Sequence, residues 1–452
     1  MGEITKILFI NRSYWPDAEA TGQLLTELCE DVAESDQLDV SVICGQPNFN
    51  LDNVEFERAG VQERNGVSIH RVTHSRYDKS TFYGRIVNFI TFLLAAFWRT
   101  FWIKKPDLMI VQTDPPLLCL LGYVVSRLRG IKFVCYLQDV YPDIAVKLGR
   151  LNENLLTRFL RWSFLHAYRN ADQVVVVGSD MKNWLINHRV DPSKIVLIEN
   201  WVDTDVLQPV KSQNEFRKKF DLDDKFVVMY SGNMGYTQRF DLVLGAAESL
   251  QQHRNIVFAF VGNGVKRSYL TEETIKRGLP NIRFMDYQPK TELSNSLSAA
   301  DAHLVLLDSK LTPYMLPSKI YSAFASATPV VGLGQSESQI GKNFTPSHLA
   351  NLINTYEAGI FVDEENADDL ADKIVSLYQD EEACRLMGSR ARIAAESRHS
   401  REVAAHEFLQ TLSEMGLIPE APGTFEFNPP QQPSPESANS QTNTKSEILS
   451  TN

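Results

Sequence analysis

A chain of 452 residues is too long for one hydrophobic core, so two domains and a tail are expected. Its hydrophobic fraction of 43% and charged fraction of 22% are those of a globular protein, and its net charge of -11 argues against a nucleic-acid binder, whose footprint would be basic. The five cysteines (Cys29, Cys44, Cys119, Cys135 and Cys384) are scattered and form no CxxC pair, which fits reduced thiols in a cytoplasmic protein without a zinc site or disulfide framework.

Apolar strand-like runs alternate with helical patterns from the start, the signature of a parallel α/β sheet. The first strand, Lys6-Ile7-Leu8-Phe9-Ile10, follows no secretory signal. A helix comes next, with Leu24, Leu25, Leu28 and Val32 at core-facing spacing. Gly22 opens that helix, where its backbone can approach a ligand closely. Further strands are expected at 40–44, 67–72, 108–112 and 132–136.

Residues 86–98 are the most apolar stretch, flanked by Arg85 and Arg99, and fall short of the ~20 residues a spanning helix needs. With Phe101, Trp102, Lys104 and Lys105 the segment from Phe82 to Lys105 suits a helix lying in the interface of the inner membrane. A buried helix with a basic end is the other reading. Gln112-Thr113-Asp114 and Gln138-Asp139 end two strands, where polar groups of an open α/β sheet face the ligand crevice. Asp139 can orient an acceptor hydroxyl or take its proton, or serve only as a turn or N-cap aspartate.

Strands at 173–177 and 194–198 close a first domain spanning 1–203, and a linker leads to a second domain spanning 215–415. Its first strand ends in Ser231-Gly232-Asn233, with Arg239 before a helix, and its second ends in Gly262-Asn263-Gly264. Glycines there let backbone N–H groups approach a phosphate. Neither loop makes a GxGxxG fingerprint, which argues against a dinucleotide oxidoreductase.

A helix is expected over 291–299 and a strand over 302–307, leading to Leu316-Pro317-Ser318-Lys319. Pro317 can start a helix whose first turn presents Ser318 and Lys319 to an anion, with Pro329 ending it. Lys319 on an ordinary helix surface is the alternative. A last helix over 401–413 is long enough to cross back onto the first domain, and residues 419–452 are too polar to order themselves.

The ordered set of N-terminal glycine turn, SGN strand end, GNG strand end and PSK helix resembles the GT-B glycosyltransferases, most closely the retaining enzymes of family four. Within them, Asp139-Val140-Tyr141-Pro142-Asp143 is similar to a stretch of the colanic-acid and O-antigen fucosyl- or acetamidofucosyl-transferase subgroup. The resemblance implies two Rossmann-like domains facing across a cleft. It also implies transfer of a hexose from a nucleotide sugar to a lipid-linked or glycan acceptor, without a metal or other cofactor. Gly232 and Asn233 would line the diphosphate, with Arg239, Ser318 and Lys319 near the phosphates. Gly262, Asn263 and Gly264 would lie near the nucleoside, and Gly22 would face the donor from the other domain.

This sequence departs from the family where two glutamates eight positions apart are usual, having Tyr314 and Ser322 there. Gln138 stands where a histidine is common, and Gln238 where a lysine is. A donor-contacting Ser322 is expected in place of the ribose glutamate. The departures keep a non-catalytic sugar-nucleotide-binding subunit in view. A sugar-nucleotide epimerase of similar architecture would need a paired acid and base that the sequence does not display.

Overall fold

In the computed structural model, strand formation follows from burial on both faces. Ile7, Leu8, Phe9 and Ile10 of β1 (Thr5–Ile10) are all buried, the near-continuous apolar pattern of a central parallel strand. The first sheet adds β2 (Leu38–Cys44), β3 (Gly60–Arg64), β4 (Val67–Arg71), β5 (Leu108–Val111), β6 (Lys132–Leu137), β7 (Gln173–Val176) and β8 (Ile195–Leu197). Its spatial order is β3-β4-β2-β1-β5-β6-β7-β8. Every pair is parallel except the β3–β4 hairpin, which turns on Asn65-Gly66 with φ of 45° and 77°. That Asn-Gly pair is the signal for a strand the sequence reading passed over.

The second sheet holds β9 (Phe226–Ser231), β10 (Ile256–Val261), β11 (Ile282–Met285), β12 (Ala302–Leu306) and β13 (Val330–Gly334). A small antiparallel pair, β14 (Glu337–Ile340) and β15 (Asn343–Pro346), precedes its last strand, β16 (Gly359–Asp363). The order β11-β10-β9-β12-β13-β16 is the doubly wound Rossmann arrangement, in which the chain reverses direction across the sheet beside its first strand. The first sheet reverses likewise between β1 and β5. The expected α/β class with two Rossmann-like sheets is what the chain adopts. Ligand crevices in such sheets lie at the carboxyl ends of the strands beside these reversals.

The structure describes residues 4–17, 19–47, 59–77, 82–340, 343–363 and 366–419, and the expected tail from 420 onward lies outside them. Residues Met1–Pro422 form one unit holding both sheets. The last helix, Arg401–Glu414, returns to the first sheet as expected. Its Phe408 ring lies 5.8 Å from that of Phe9, and Arg401 reaches Asp31 of the Ala20–Ala33 helix at 2.7 Å.

Three helices differ from expectation. The segment at 291–299 divides into a 3₁₀ turn, Lys290–Glu292, and a helix, Leu293–Ser298. The helix after Pro317 begins only at Lys319 and has seven residues, Lys319–Ala325. Ala327, at φ 52°, turns the chain out of it before Pro329 is reached. The apolar stretch extends into a 21-residue helix, Phe82–Trp102, which buries Phe92 and Ala96 and leaves other apolar residues exposed. No helix among the described residues is long and apolar enough to cross a membrane.

Because Phe408 joins the last helix to the core of the first sheet, Phe408→Ala should destabilise the chain by about 3 kcal/mol. Gln410→Ala, on the exposed side of the same helix, should change stability by less than about 0.5 kcal/mol. Urea unfolding of the two variants beside the parent protein measures both.

Candidate active site

The second sheet brings two glycine-ended strands and Lys319 together. Gly232 follows β9 with φ 119°, and Gly262 follows β10 with φ 132°. A Cβ on Gly262 would collide with the Gly232 carbonyl, and one on Gly232 would lie 2.7 Å from Lys319 Cε. Only glycine permits both the backbone angles and this approach. The loops are then tied to each other: Gly232 N donates to Val261 O and Met234 N donates to Asn263 O, each at 2.8 Å. Asn263 Oδ1 accepts from Gly264 N, and the Asn233 carbonyl accepts from the Tyr230 hydroxyl at 2.6 Å.

Lys319 lies over this platform, its Nζ 5.3 Å from the Tyr230 ring centroid and 3.1 Å from where a Gly232 Cβ would stand. It makes no ion pair among the described residues. Burial pulls its ammonium pKa down to about 8. A cation held against an aromatic face without a carboxylate is poised for an anionic ligand. The seven-residue helix is too short for the expected helix-dipole contribution to weigh much, so the lysine itself supplies the charge. Lys266, absent from the sequence reading, joins this side. It stands immediately after Gly264-Val265 and donates to Gln238 O at 3.2 Å, and burial lowers its pKa.

Three expected contacts are spent within the chain. Arg239 forms a two-residue clasp with Asp241 at 2.8 Å. The Ser322 hydroxyl donates to Lys319 O at 3.0 Å, back into its own helix, and Ser318 precedes that helix without capping it through its side chain. At Gly22 the space of the missing Cβ is filled by Ser13 and Tyr14, with Ser13 Cβ at 3.0 Å. On that side, glycine at 22 serves close helix–loop packing in the first sheet.

The opposite wall is built where the first sheet reverses. Arg12, two residues beyond β1, is 6% exposed and lies 3.0 Å from both Glu19 and Asp114, the latter just after β5. Ser13 Oγ stands 2.6 Å from Glu19 and 3.0 Å from Asp114. Asp139, just after β6, is held against the second half of the chain: it bridges Met315, and Val140 N donates to Tyr314 O at 2.9 Å. Burial, then the charge of Asp114, pushes the Asp139 carboxyl up to about 7. Asp139 is thus bridged to Met315, four residues before Lys319 in the chain. The Arg12–Glu19–Asp114 network was missed because its members are 7 and 102 residues apart in sequence.

A second cluster fastens the halves behind this cleft. Glu199 lies 3.0 Å from His348 Nε2 and 3.0 Å from His399 Nδ1. Burial would raise the carboxyl, but the two imidazoles outweigh it and hold Glu199 at about 2. Asp180 accepts from His348 N at 2.7 Å, so the start of the His348–Thr355 helix is bound to the first half. Gln138, where a histidine was anticipated, is engaged in a reciprocal amide pair with Asn200 at 3.0 and 3.1 Å. No group of three or more His, Cys, Asp or Glu side chains among the described residues is placed to hold a metal ion.

The buried charge of Lys319 has a thermodynamic signature. At pH 7 the amine is protonated in both the folded and unfolded chains, so folding bears the full desolvation cost. Between about 8 and the ordinary 10.5 only the unfolded chain keeps the proton, and the cost fades as pH rises. Lys319→Met should therefore raise Tm at pH 7, on the order of 2 °C, and by less at pH 10. Calorimetric scans at the two pH values check this.

Comparison with known proteins follows the two sheets. Residues 22–206 match the family model Glycosyltransferase Family 4, and residues 212–394 match Glycosyl transferases group 1. The chain is 27% identical to the probable glycosyltransferase WbjE of Pseudomonas aeruginosa over 53% of its own length and 60% of that protein's. It is 26% identical to the putative colanic acid biosynthesis glycosyl transferase WcaI of Escherichia coli K12, over 75% of this chain and 85% of that one. Among solved structures, HepE of Anabaena in complex with UDP and glucose superposes with a TM-score of 0.67 at 15% identity, covering 91% of this chain and all of that one. Sucrose-phosphate synthase from Thermosynechococcus elongatus gives 0.71 at 16% identity, covering 91% and 99%. The first half of the chain thus belongs to glycosyltransferase family 4 and the second to glycosyl transferases group 1, joined as a GT-B protein.

Proposed function

We propose that the chain transfers a hexose, with retention, from a nucleotide sugar to a lipid-linked or polysaccharide acceptor in biosynthesis of the exopolysaccharide or O-antigen type. The observation that carries this is the Lys319 ammonium lying over Gly232 with no carboxylate partner among the described residues. A sugar nucleotide's diphosphate is the anion that suits it. The printed names of relatives support the pathway class: WcaI is named for colanic acid, and WaaG, which this fold resembles at a TM-score of 0.61, for lipopolysaccharide. HepE was solved with UDP, which favours a uridine nucleotide among the candidates.

In this reading the donor diphosphate rests on the Gly232-Asn233 and Gly262-Asn263-Gly264 loops. Lys319 neutralises the charge that grows on the leaving phosphate, and Lys266 adds a second cation to the same side. Arg239 joins only if it leaves Asp241. Asp139 takes up the acceptor hydroxyl's hydrogen bond and, when ionised, its proton. The retained configuration implies attack from the same face as departure, so the acceptor must enter beside the leaving phosphate, on the Asp139 side. The chain works without a metal, at the cytoplasmic side of the inner membrane, as a peripheral protein.

The reading is tested by release of nucleoside diphosphate from UDP-, GDP- and ADP-sugars. With its carboxyl at about 7, Asp139 is ionised only above that value, so the parent's rate should climb as pH rises through 7. Asp139→Asn should lower kcat by about a hundredfold or more and flatten this climb. Nucleotide binding that persists in the parent protein with no turnover on any acceptor would instead favour the non-catalytic binding subunit.

A further inference from the structure

We infer that the outer face of the first sheet's helical layer docks on an anionic lipid bilayer. Phe82–Trp102 packs beside Leu118–Arg129, which packs beside Leu155–Asn170. The three helices turn large apolar side chains to solvent: Tyr83 is 81% exposed, Trp98 63%, Leu128 64%, Leu155 82% and Trp162 57%. Such a patch, spread over adjacent helices, exceeds the single apolar side chains scattered on ordinary surfaces. The sequence reading saw only its first helix.

Charge selects the occupant. In a chain of net charge -11, these three helices contain no aspartate or glutamate at all. They carry Arg85 and Arg99, then Arg127 and Arg129, then Arg158, Arg161 and Arg169. Among the described residues only Arg161 forms an ion pair, with Asp143 and Glu153. Arg127 lies over the Tyr123 ring at 5.3 Å, and Arg129 over Phe101 at 5.8 Å. Cations set among exposed Trp, Tyr and Leu on helices that carry no acid of their own match the phosphate level of a bilayer whose surface is negative. A second copy of this chain would bring like charges face to face.

The layer also leads to the cleft. Phe89, on the Phe82–Trp102 helix, lies beneath the Arg12 guanidinium at 5.9 Å, and Arg12 forms the acceptor-side wall. A lipid-borne acceptor leaving the bilayer would enter the cleft past this helix. This step extends the peripheral-membrane part of the proposed function and rests on it.

Co-sedimentation of the full chain with vesicles is the test, using phosphatidylcholine alone and phosphatidylcholine mixed with phosphatidylglycerol. The chain should sediment with the mixed vesicles, less so in high salt, and weakly with phosphatidylcholine alone. Arg127→Glu and Arg158→Glu should each lower partitioning by about fivefold or more. Trp98→Glu with Trp162→Glu should lower it at least tenfold. Equal binding to both vesicles, no binding to either, or a dimer in analytical ultracentrifugation that Trp98→Glu dissociates, each overturns the inference. UDP thermal shifts unchanged in every variant show that fold and donor loops survive. Vesicle binding without any nucleotide shift in the parent protein would leave the docking face standing and remove the transferase reading.

Discussion

The site depends on one packing constraint: a lysine side chain passing through the space where any residue but glycine at 232 would have a Cβ. Gly262 in turn makes room for the Gly232 carbonyl. The result is an ammonium pressed toward Tyr230, with no ion pair among the described residues, at a cost visible in its lowered pKa. Such a cost is retained where a ligand offsets it. Hydrogen bonds between the two glycine loops keep the platform in place without using its outward face.

The two walls of the cleft are electrically unlike. On the first-sheet side, Arg12 is saturated by Glu19 and Asp114, and Asp139 stands in the field of that surplus negative charge. Any anion would be repelled there. On the second-sheet side, Lys319 lies over Gly232, and Lys266, just beyond Gly264-Val265, reaches Gln238 O. In the proposed reaction this asymmetry would distribute substrates by charge, with a diphosphate on one wall and a neutral hydroxyl on the other. It requires that the walls be held in register, which is what Glu199 does by engaging one histidine at the start of each of two late helices. His348 opens its helix, while His399 sits between Arg398 and the Ser400 cap of the last one.

Strands and loops were legible because their signals are local. Apolar runs on both faces marked β1, β9 and β10, and the glycines after them marked the platform. Lys319 was marked by its place at a helix start after Pro317, at the carboxyl edge of the second sheet. What was not legible is where side chains turn. Asp241 two residues beyond Arg239 captures it, and the Ser322 hydroxyl prefers its own helix to a ligand, as serine does when a carbonyl lies one turn back. The Arg12 and Glu199 clusters unite residues from distant segments, and no spacing rule reaches across them. The second and third of the exposed helices escaped for a different reason: apolar spacing looks the same whether the partner is a core or a bilayer.

The proposed bilayer partner rests on what the helices lack. A buried helix needs no charge bias, and a solvent-facing helix mixes acids with bases for solubility. Here the acids that give the chain its charge of -11 lie outside all three. Distribution, not net charge, therefore carries the information: the same acidity that argues against nucleic acid also makes a carboxylate-free arginine layer a local exception. Because that layer reaches Arg12 through Phe89, the surface and the acceptor wall are parts of one structure, and a change in how the helices lie would be felt at Asp114 and, through its charge, at Asp139.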